Sequence, residues 1–183
     1  MNSTERELLA LWILPAAALA APVYATDYLT AQQAQRELFP HADAFIPHPV
    51  VLSNDQKKRI KALSGMRQRW DTQETWRAET AGEFSGWFIV DNVIGKHEFI
   101  TYGAALSPDG HVLGVEIMSY RETHGGEIRD AAWLDRFQGK SLADPFKLDE
   151  DVPNISGATL SCRNVLDGVR RLLALQKAVL DRE

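Results

Sequence analysis

A polar loop, Asp149-Glu150-Asp151-Val152-Pro153-Asn154-Ile155, delivers Ser156-Gly157-Ala158-Thr159 straight into an apolar helical repeat. The first backbone N–H groups of a helix have no internal partners, and the helix dipole places partial positive charge there. Gly157 lets a ligand approach the backbone, and Thr159 and Ser161 add hydroxyls, so the junction has the parts of a phosphate seat. The same residues also suit ordinary work, Ser and Thr as helix caps and Gly as a turn residue. A second stretch, Tyr120-Arg121-Glu122-Thr123-His124-Gly125-Gly126-Glu127-Ile128, follows an apolar strand pattern. Loops at strand ends are where a rigid scaffold presents contact groups. Thr123 offers a hydroxyl, and Gly125 and Gly126 lack the side chains that would hold a planar ligand away. Gly-Gly is also a common turn dipeptide. Beside these, His124 reads as a solvated loop residue or a neighbour of the ligand, and Trp133 as core packing or a stacking partner. Cys162 reads as a small buried residue, or as an activated thiol if exposed near the helix cap.

These segments need elements to hold them. Spacing predicts a short helix over Tyr28–Phe39 stopped by Pro40, then an irregular or extended connector from His41 to Val51 carrying Pro47 and Pro49. Ser53 with Gln56 forms a capping box for a helix running to about Leu63 and closed by Gly65. From Thr72 to Tyr120 the period falls to two, with strands over Glu74–Glu79, Gly86–Asp91, Phe99–Leu106 and Val112–Met118. Ser107-Pro108-Asp109-Gly110 turns the chain before the last of these. The connections are too short for helical crossovers, so the sheet is mainly antiparallel. A short helix follows over Ala131–Phe137, and a final one from about Ser161 to Leu180 carries Val165, Leu166, Val169, Leu172, Leu173 and Leu175 as its apolar stripe. The expected class is α+β, a mainly antiparallel sheet flanked by helices, with the candidate site at the N-terminus of the C-terminal helix. Residues 1–25 read as a signal peptide or anchor, 26–70 as a helical N-terminal segment and 71–183 as the ligand-binding domain.

Bulk properties narrow the chemistry. A chain of 183 residues with 45% hydrophobic content needs no cross-links to fold. A net charge of −5 with mixed signs argues against nucleic acid as a partner. The lone Cys162 excludes Cys-ligated iron–sulfur clusters, c-type haem and internal disulfides. His41, His48, His97 and His111 lack ligand-like spacing, and Glu116, Glu122 and Glu127 form no acid–base pair on strand parity, so no metal or hydrolase site emerges. The uncharged run Leu8–Ala25, ending in Val23-Tyr24-Ala25, matches an export signal cut after Ala25, so that the mature chain begins at Thr26. The rival is a retained anchor, for which the run is marginal in length and interrupted by Pro15 and Pro22.

Ser156-Gly157-Ala158-Thr159 at a late loop-to-helix junction resembles the flavinylation motif of the FMN-binding domain family, found in peripheral subunits of Rnf-type and sodium-pumping NADH:quinone oxidoreductases and in nitrous-oxide-reductase regulators. The loop at Glu122 and Thr123 and the segment Trp133–Lys140 resemble the family in the same order. The resemblance implies FMN joined through its phosphate to the hydroxyl of Thr159 by a flavin transferase. It places the isoalloxazine against Glu122, Thr123, Gly125 and Gly126, with Ser156, Gly157, Ala158 and Ser161 around the tether. Pro153 stands where relatives usually carry Asp, and Asp151 lies two residues earlier. The function so implied is an exported or membrane-associated electron carrier, on the outer face of the inner membrane, with membrane or periplasmic donor and acceptor proteins. The alternatives are a non-covalent or flavin-free adaptor in a membrane redox complex and an exported flavin reductase of a small acceptor.

Overall fold

The period-two region becomes the body of the sheet. In the computed structural model, which describes residues 26–182, β4 (Thr72–Thr80), β5 (Glu83–Ile94), β6 (Phe99–Leu106) and β7 (Val112–Tyr120) run as an antiparallel meander. Three short strands extend it: β1 (Thr26–Asp27) pairs with β7, while β2 (Ala44–Pro47) and β3 (Val50–Val51) both pair with β4. The connector expected between His41 and Val51 is therefore partly sheet, because its extended backbone meets an unpaired edge of β4. The meander gives the sheet two ends. At one lie the 95–98 hairpin, the end of β7 and Thr26, which pairs with Tyr120. At the other lie the turns at Ala81-Gly82 and at residues 107–111.

Local chemistry fixes the helices. A capping box of Thr30 and Gln33 starts α1 at Ala31–Leu38, later than its apolar spacing suggests. Tyr28 and Leu29 stay outside it, their backbone N–H groups donating to the Met118 carbonyl. The Ser53–Gln56 box and left-handed Gly65 bound α2 (Asn54–Ser64) as the sequence predicts. The short helix after β7 is α3 (Ala131–Leu134), continued by a tight turn over Asp135–Phe137. The C-terminal helix α4 spans Thr159–Ala178, so it starts two residues earlier than its apolar stripe indicates.

Alternation along β5 sends Trp87 and Ile89 into the larger core, with Tyr102, Ile117 and the α4 residues Val165, Leu166 and Leu172. Phe88 points the other way, into a smaller cluster with Ala34, Ala105 and Met118. A buried polar strut locks α4 onto the sheet. Tyr102 donates its hydroxyl to Asp91 at 2.6 Å, and the Arg171 guanidinium of α4 donates to the same carboxylate oxygen. Gly168 makes room, since a Cβ there would lie 2.4 Å from the Tyr102 hydroxyl. Burial opposes the charge on Arg171, but Asp91 outweighs it and holds the guanidinium pKa above its usual value. Breaking such a buried pair costs about 3–5 kcal/mol. The strut sets the position of α4 along the sheet, and with it the placement of Thr159 at the hairpin end.

Candidate flavin site

The first turn of α4 opens into a cleft of about 450 Å³ lined by Lys96, His97, Glu122, Thr123, His124 and residues 157–161. Ala158 is the helix N-cap and no side chain caps the helix, so neither Ser156 nor Thr159 does the capping work their types allow. The Ala158 N–H donates to the Ile155 carbonyl and the Cys162 N–H to the Ala158 carbonyl. The intervening N–H groups of Thr159, Leu160 and Ser161 precede the first intrahelical bond and point out of the helix start. Gly157 sits at φ 81°, where an L side chain is strained, and lets the chain turn into the helix. Thr159 is half-buried, Ser156, Gly157 and Leu160 are exposed, and Ser161 is buried. A hydroxyl, unpaired amides and a cationic Lys96 on one cleft suit a phosphate, and the cleft volume falls in the range of cofactor pockets. These residues fit FMN.

The opposite wall is built by a clasp that the sequence does not announce. Glu122 Oε1 accepts the backbone N–H of His97 at 2.6 Å and of Glu98 at 3.0 Å, holding the hairpin between β5 and β6. Partial burial pushes the Glu122 carboxyl up, but the amides of Glu98, His97 and Lys96 outweigh it and leave its pKa below the usual carboxylate value. Gly95 lets the clasp close, because a Cβ there would lie 2.5 Å from Glu122 Oε1 and 3.1 Å from Ser161 Oγ. Glu122 thus reaches the cleft as an organiser of its wall, and Thr123 and His124 stand beside it as exposed lining residues.

Gly125 and Gly126 do not line the cleft. Gly125 is buried at φ 88°, and a Cβ would lie 2.1 Å from the Ala158 Cβ and 2.8 Å from the Tyr120 hydroxyl. It packs the loop directly against the tether segment, while Gly126 begins a 3-10 turn, Gly126–Arg129, with open space around it. Tyr120 braces the layer below, donating its hydroxyl to the His124 carbonyl at 2.5 Å and lying 3.4 Å from Ser161 Oγ. Burial raises the pKa of that hydroxyl. Trp133 is core, packed on Phe137, and its indole N–H donates to the Pro153 carbonyl at 2.9 Å, which anchors the approach to the motif. Asp151 is spent inside the same loop, accepting the Lys147 N–H at 2.9 Å and lying 3.5 Å from Lys140 Nζ. Cys162 is fully buried and burial pushes its thiol pKa up, so it packs and is not activated. Among the described residues no cluster of three or more His, Cys, Asp or Glu could hold a metal. Sequence reasoning missed Lys96 and the role of His97 in the cleft, and Gly95 beneath them.

An antiparallel sheet flanked by helices, with a clasped loop and a helix start around one cleft, defines an α+β domain. Residues 95–174 match the model of the FMN-binding domain family, and FMN is the cofactor that this match supports. Over 114 residues the chain is 30% identical to a subunit of the ion-translocating oxidoreductase complex of Stutzerimonas stutzeri, covering 56% of this chain and 50% of that protein. The same-named subunit of Cereibacter sphaeroides is 35% identical over 82 residues, 39% of this chain and 37% of that one. The chain thus spans half or less of the length of the curated relatives it matches. The crystal structure of Shewanella oneidensis NqrC shares the fold, with a TM-score of 0.54 and 19% identity over 78% of this chain and 87% of that chain.

Proposed function

We propose that this chain carries FMN as a phosphoester on Thr159 Oγ1 and relays electrons between membrane or periplasmic redox proteins. The observation that carries the reading is the helix start itself: a half-buried threonine hydroxyl, free of capping duty, on a cleft with unpaired amides and Lys96. Esterification by a flavin transferase takes the FMN phosphoryl group from a flavin dinucleotide. The Thr159 Oγ1–P bond forms, the pyrophosphate bond breaks, the nucleoside monophosphate leaves and the hydroxyl proton passes to solvent. The remaining phosphate charge lies where the helix dipole favours it. The bound flavin supplies the redox chemistry, and the protein binds, orients and tunes it. Thr123 and His124 line the same cleft, which supports a contact of this loop with the ring. The likeness to oxidoreductase complex subunits supports a relay within a membrane assembly. The apolar run Leu8–Ala25 supports work on the outer face of the inner membrane; it lies outside the described residues. No helix among the described residues is long and apolar enough to cross a membrane.

The test is the intact mass and visible spectrum of the full chain co-expressed with a flavin transferase and exported. The expected result is a mass increase of one FMN less one water, with yellow colour that survives denaturation. Flavin lost on denaturation, or no added mass, would instead identify a non-covalent carrier or a flavin-free adaptor.

A further inference from the structure

We propose that His124 is the proton partner of the flavin: it takes up a proton when the flavin in this cleft is reduced, so that electron transfer through this chain is coupled to proton uptake. This rests on the flavin reading and adds a titrating group to it. Of the five histidines in the chain, two line the cleft, His97 from the hairpin between β5 and β6 and His124 from the loop after β7. The pairing of Ile100 with Tyr120 brings these two segments side by side. The fold fixes the backbone at both. The His97 N–H donates to Glu122 Oε1 at 2.6 Å, the His124 carbonyl accepts the Tyr120 hydroxyl at 2.5 Å, and the next residue, Gly125, is buried against Ala158. His124 also lies against the turn that carries the tether, since a Cβ on Gly157 would be 3.9 Å from the His124 Cβ. Both histidines nevertheless stay exposed on the cleft.

Two other histidines show what a committed ring looks like. His111 Nδ1 lies 3.2 Å from Asp109 Oδ2, and the His48 ring packs on Trp87 with centroids 5.1 Å apart. Among the described residues, no hydrogen bond or ion pair engages the ring of His97 or His124. The ionisable groups around them are Lys96 and Glu98 on the hairpin, Glu122 on the loop with Arg121 and Glu127 in the same segment, and Tyr120 beneath it. The start of α4 adds buried Cys162 and no charge before Arg163. Glu122 is the one carboxylate lining the cleft among the described residues, and its charge is felt by His97. His124 is the imidazole left to answer a new negative charge. The ordinary pKa of an imidazole, about 6.5, puts its change of charge between about pH 5 and 8. An opposite charge within about 4–6 Å favours the protonated ring. The electrons of reduction come from the donor redox protein. With two of them, one proton from water joins the flavin and a second bonds to an imidazole nitrogen of His124. When the acceptor protein takes the electrons out, both protons return to water.

The test follows the imidazole Cε1–H resonances of the full flavin-loaded chain, labelled with carbon-13 histidine, across the range from about pH 5 to about pH 8. Titrations are compared in the oxidised protein and after reduction with dithionite. The His124 midpoint should rise on reduction, by at least about threefold in proton affinity. The midpoint of His111, at the opposite end of the sheet, should stay in place. Linkage then fixes a second number, because the coupling is reciprocal. The gain in reduction is fully present below the His124 midpoint of the oxidised protein, and it is lost as pH rises through the higher midpoint of the reduced one. Measured against a reference dye, His124→Gln should therefore shift the equilibrium toward oxidised flavin by that same factor at about pH 5, and leave it nearly unchanged at about pH 8. An unmoved His124 midpoint in the reduced protein, or equal shifts of the dye equilibrium at both pH values, would overturn the proposal. So would a rise shared by His111 or one confined to His97. Intact mass and visible absorbance of the same sample report the flavin reading separately. Flavin held without a covalent bond leaves this test in force, and a chain that holds no flavin overturns both.

Discussion

At the far end of the sheet, the turn between β6 and β7 consumes its own polar groups. The Ser107 and His111 backbones pair, with Ser107 N–H donating to the His111 carbonyl at 2.8 Å, and His111 N–H donates to Ser107 Oγ at 3.0 Å. The Ser107 carbonyl takes the side-chain amide of Gln176 at 2.9 Å, from the end of α4. The hairpin end, built from the same kinds of residue, keeps groups in reserve. Its one carboxylate clasp, Glu122, organises the wall, while the α4 amides, the Thr159 hydroxyl and Lys96 face the cleft. One helix thus ends against a turn whose Ser107 and His111 backbone groups are paired and begins in a seat whose amides are not. The difference shows that hydroxyl and glycine content alone does not mark a site; what marks it is polar groups that the fold has placed together and not used.

The sharpest way to break the contrast is to exchange glycines that share a backbone conformation but not a neighbourhood. Gly110 in the far turn sits at φ 83° with open space around it, whereas Gly125 at φ 88° lies against Ala158. Gly125→Val adds a steric overlap to the strain and should cost about 3–5 kcal/mol, displacing the tether segment. Gly110→Ala should cost only the left-handed strain, about 1–2 kcal/mol. Denaturant midpoints of the two variants decide this, and equal losses would mean that Gly125 has no special packing role.

A smaller effect tests the clasp. Glu122→Ala removes the acceptor for the His97 and Glu98 amides and should cost about 1–2 kcal/mol. Its signature is local: amide exchange of His97 and Glu98 should quicken while that of Val165 and Leu172 on α4 is unchanged. Uniformly faster exchange would instead make the clasp part of the global fold.

The smallest effect is on pH. The folded-state pKa of Glu122 is depressed, so its contribution is fully present above the pKa of the unfolded chain. It is lost as pH falls through the lower folded value, below the ordinary carboxylate range. Protection of the His97 amide should therefore hold at neutral pH and fade only in that acid window. Loss of protection near neutrality would contradict the assignment.

Much of this was legible in the sequence where the signals were local. The Ser53–Gln56 box and Gly65 bounded α2, alternation located the four long strands, and the loop-to-helix junction at Ser156–Thr159 stood out by its composition. The parts that escaped depend on distant pairing. Gly95, Lys96 and His97 join the cleft because Ile94 pairs with Phe99 and Ile100 with Tyr120, which lays the hairpin beside Glu122. A carboxylate that caps amides 24 and 25 residues away leaves no local pattern. The breaker Gly95-Lys96-His97-Glu98 between two apolar runs was the available signal. Gly125 was visible as a glycine, but its neighbour Ala158 is a tertiary fact.

The central claim, that Thr159 is the attachment point, is tested most directly by in-gel flavin fluorescence of denatured variants co-expressed with a flavin transferase. Thr159 is a half-buried residue that caps nothing, so Thr159→Ala should change stability by no more than about 0.5 kcal/mol and leave a folded protein. The account predicts that Thr159→Ala is dark, that Thr159→Ser, which keeps the hydroxyl, stays fluorescent, and that Ser161→Ala does as well. A fluorescent Thr159→Ala band, or a dark Ser161→Ala band from folded protein, would contradict it.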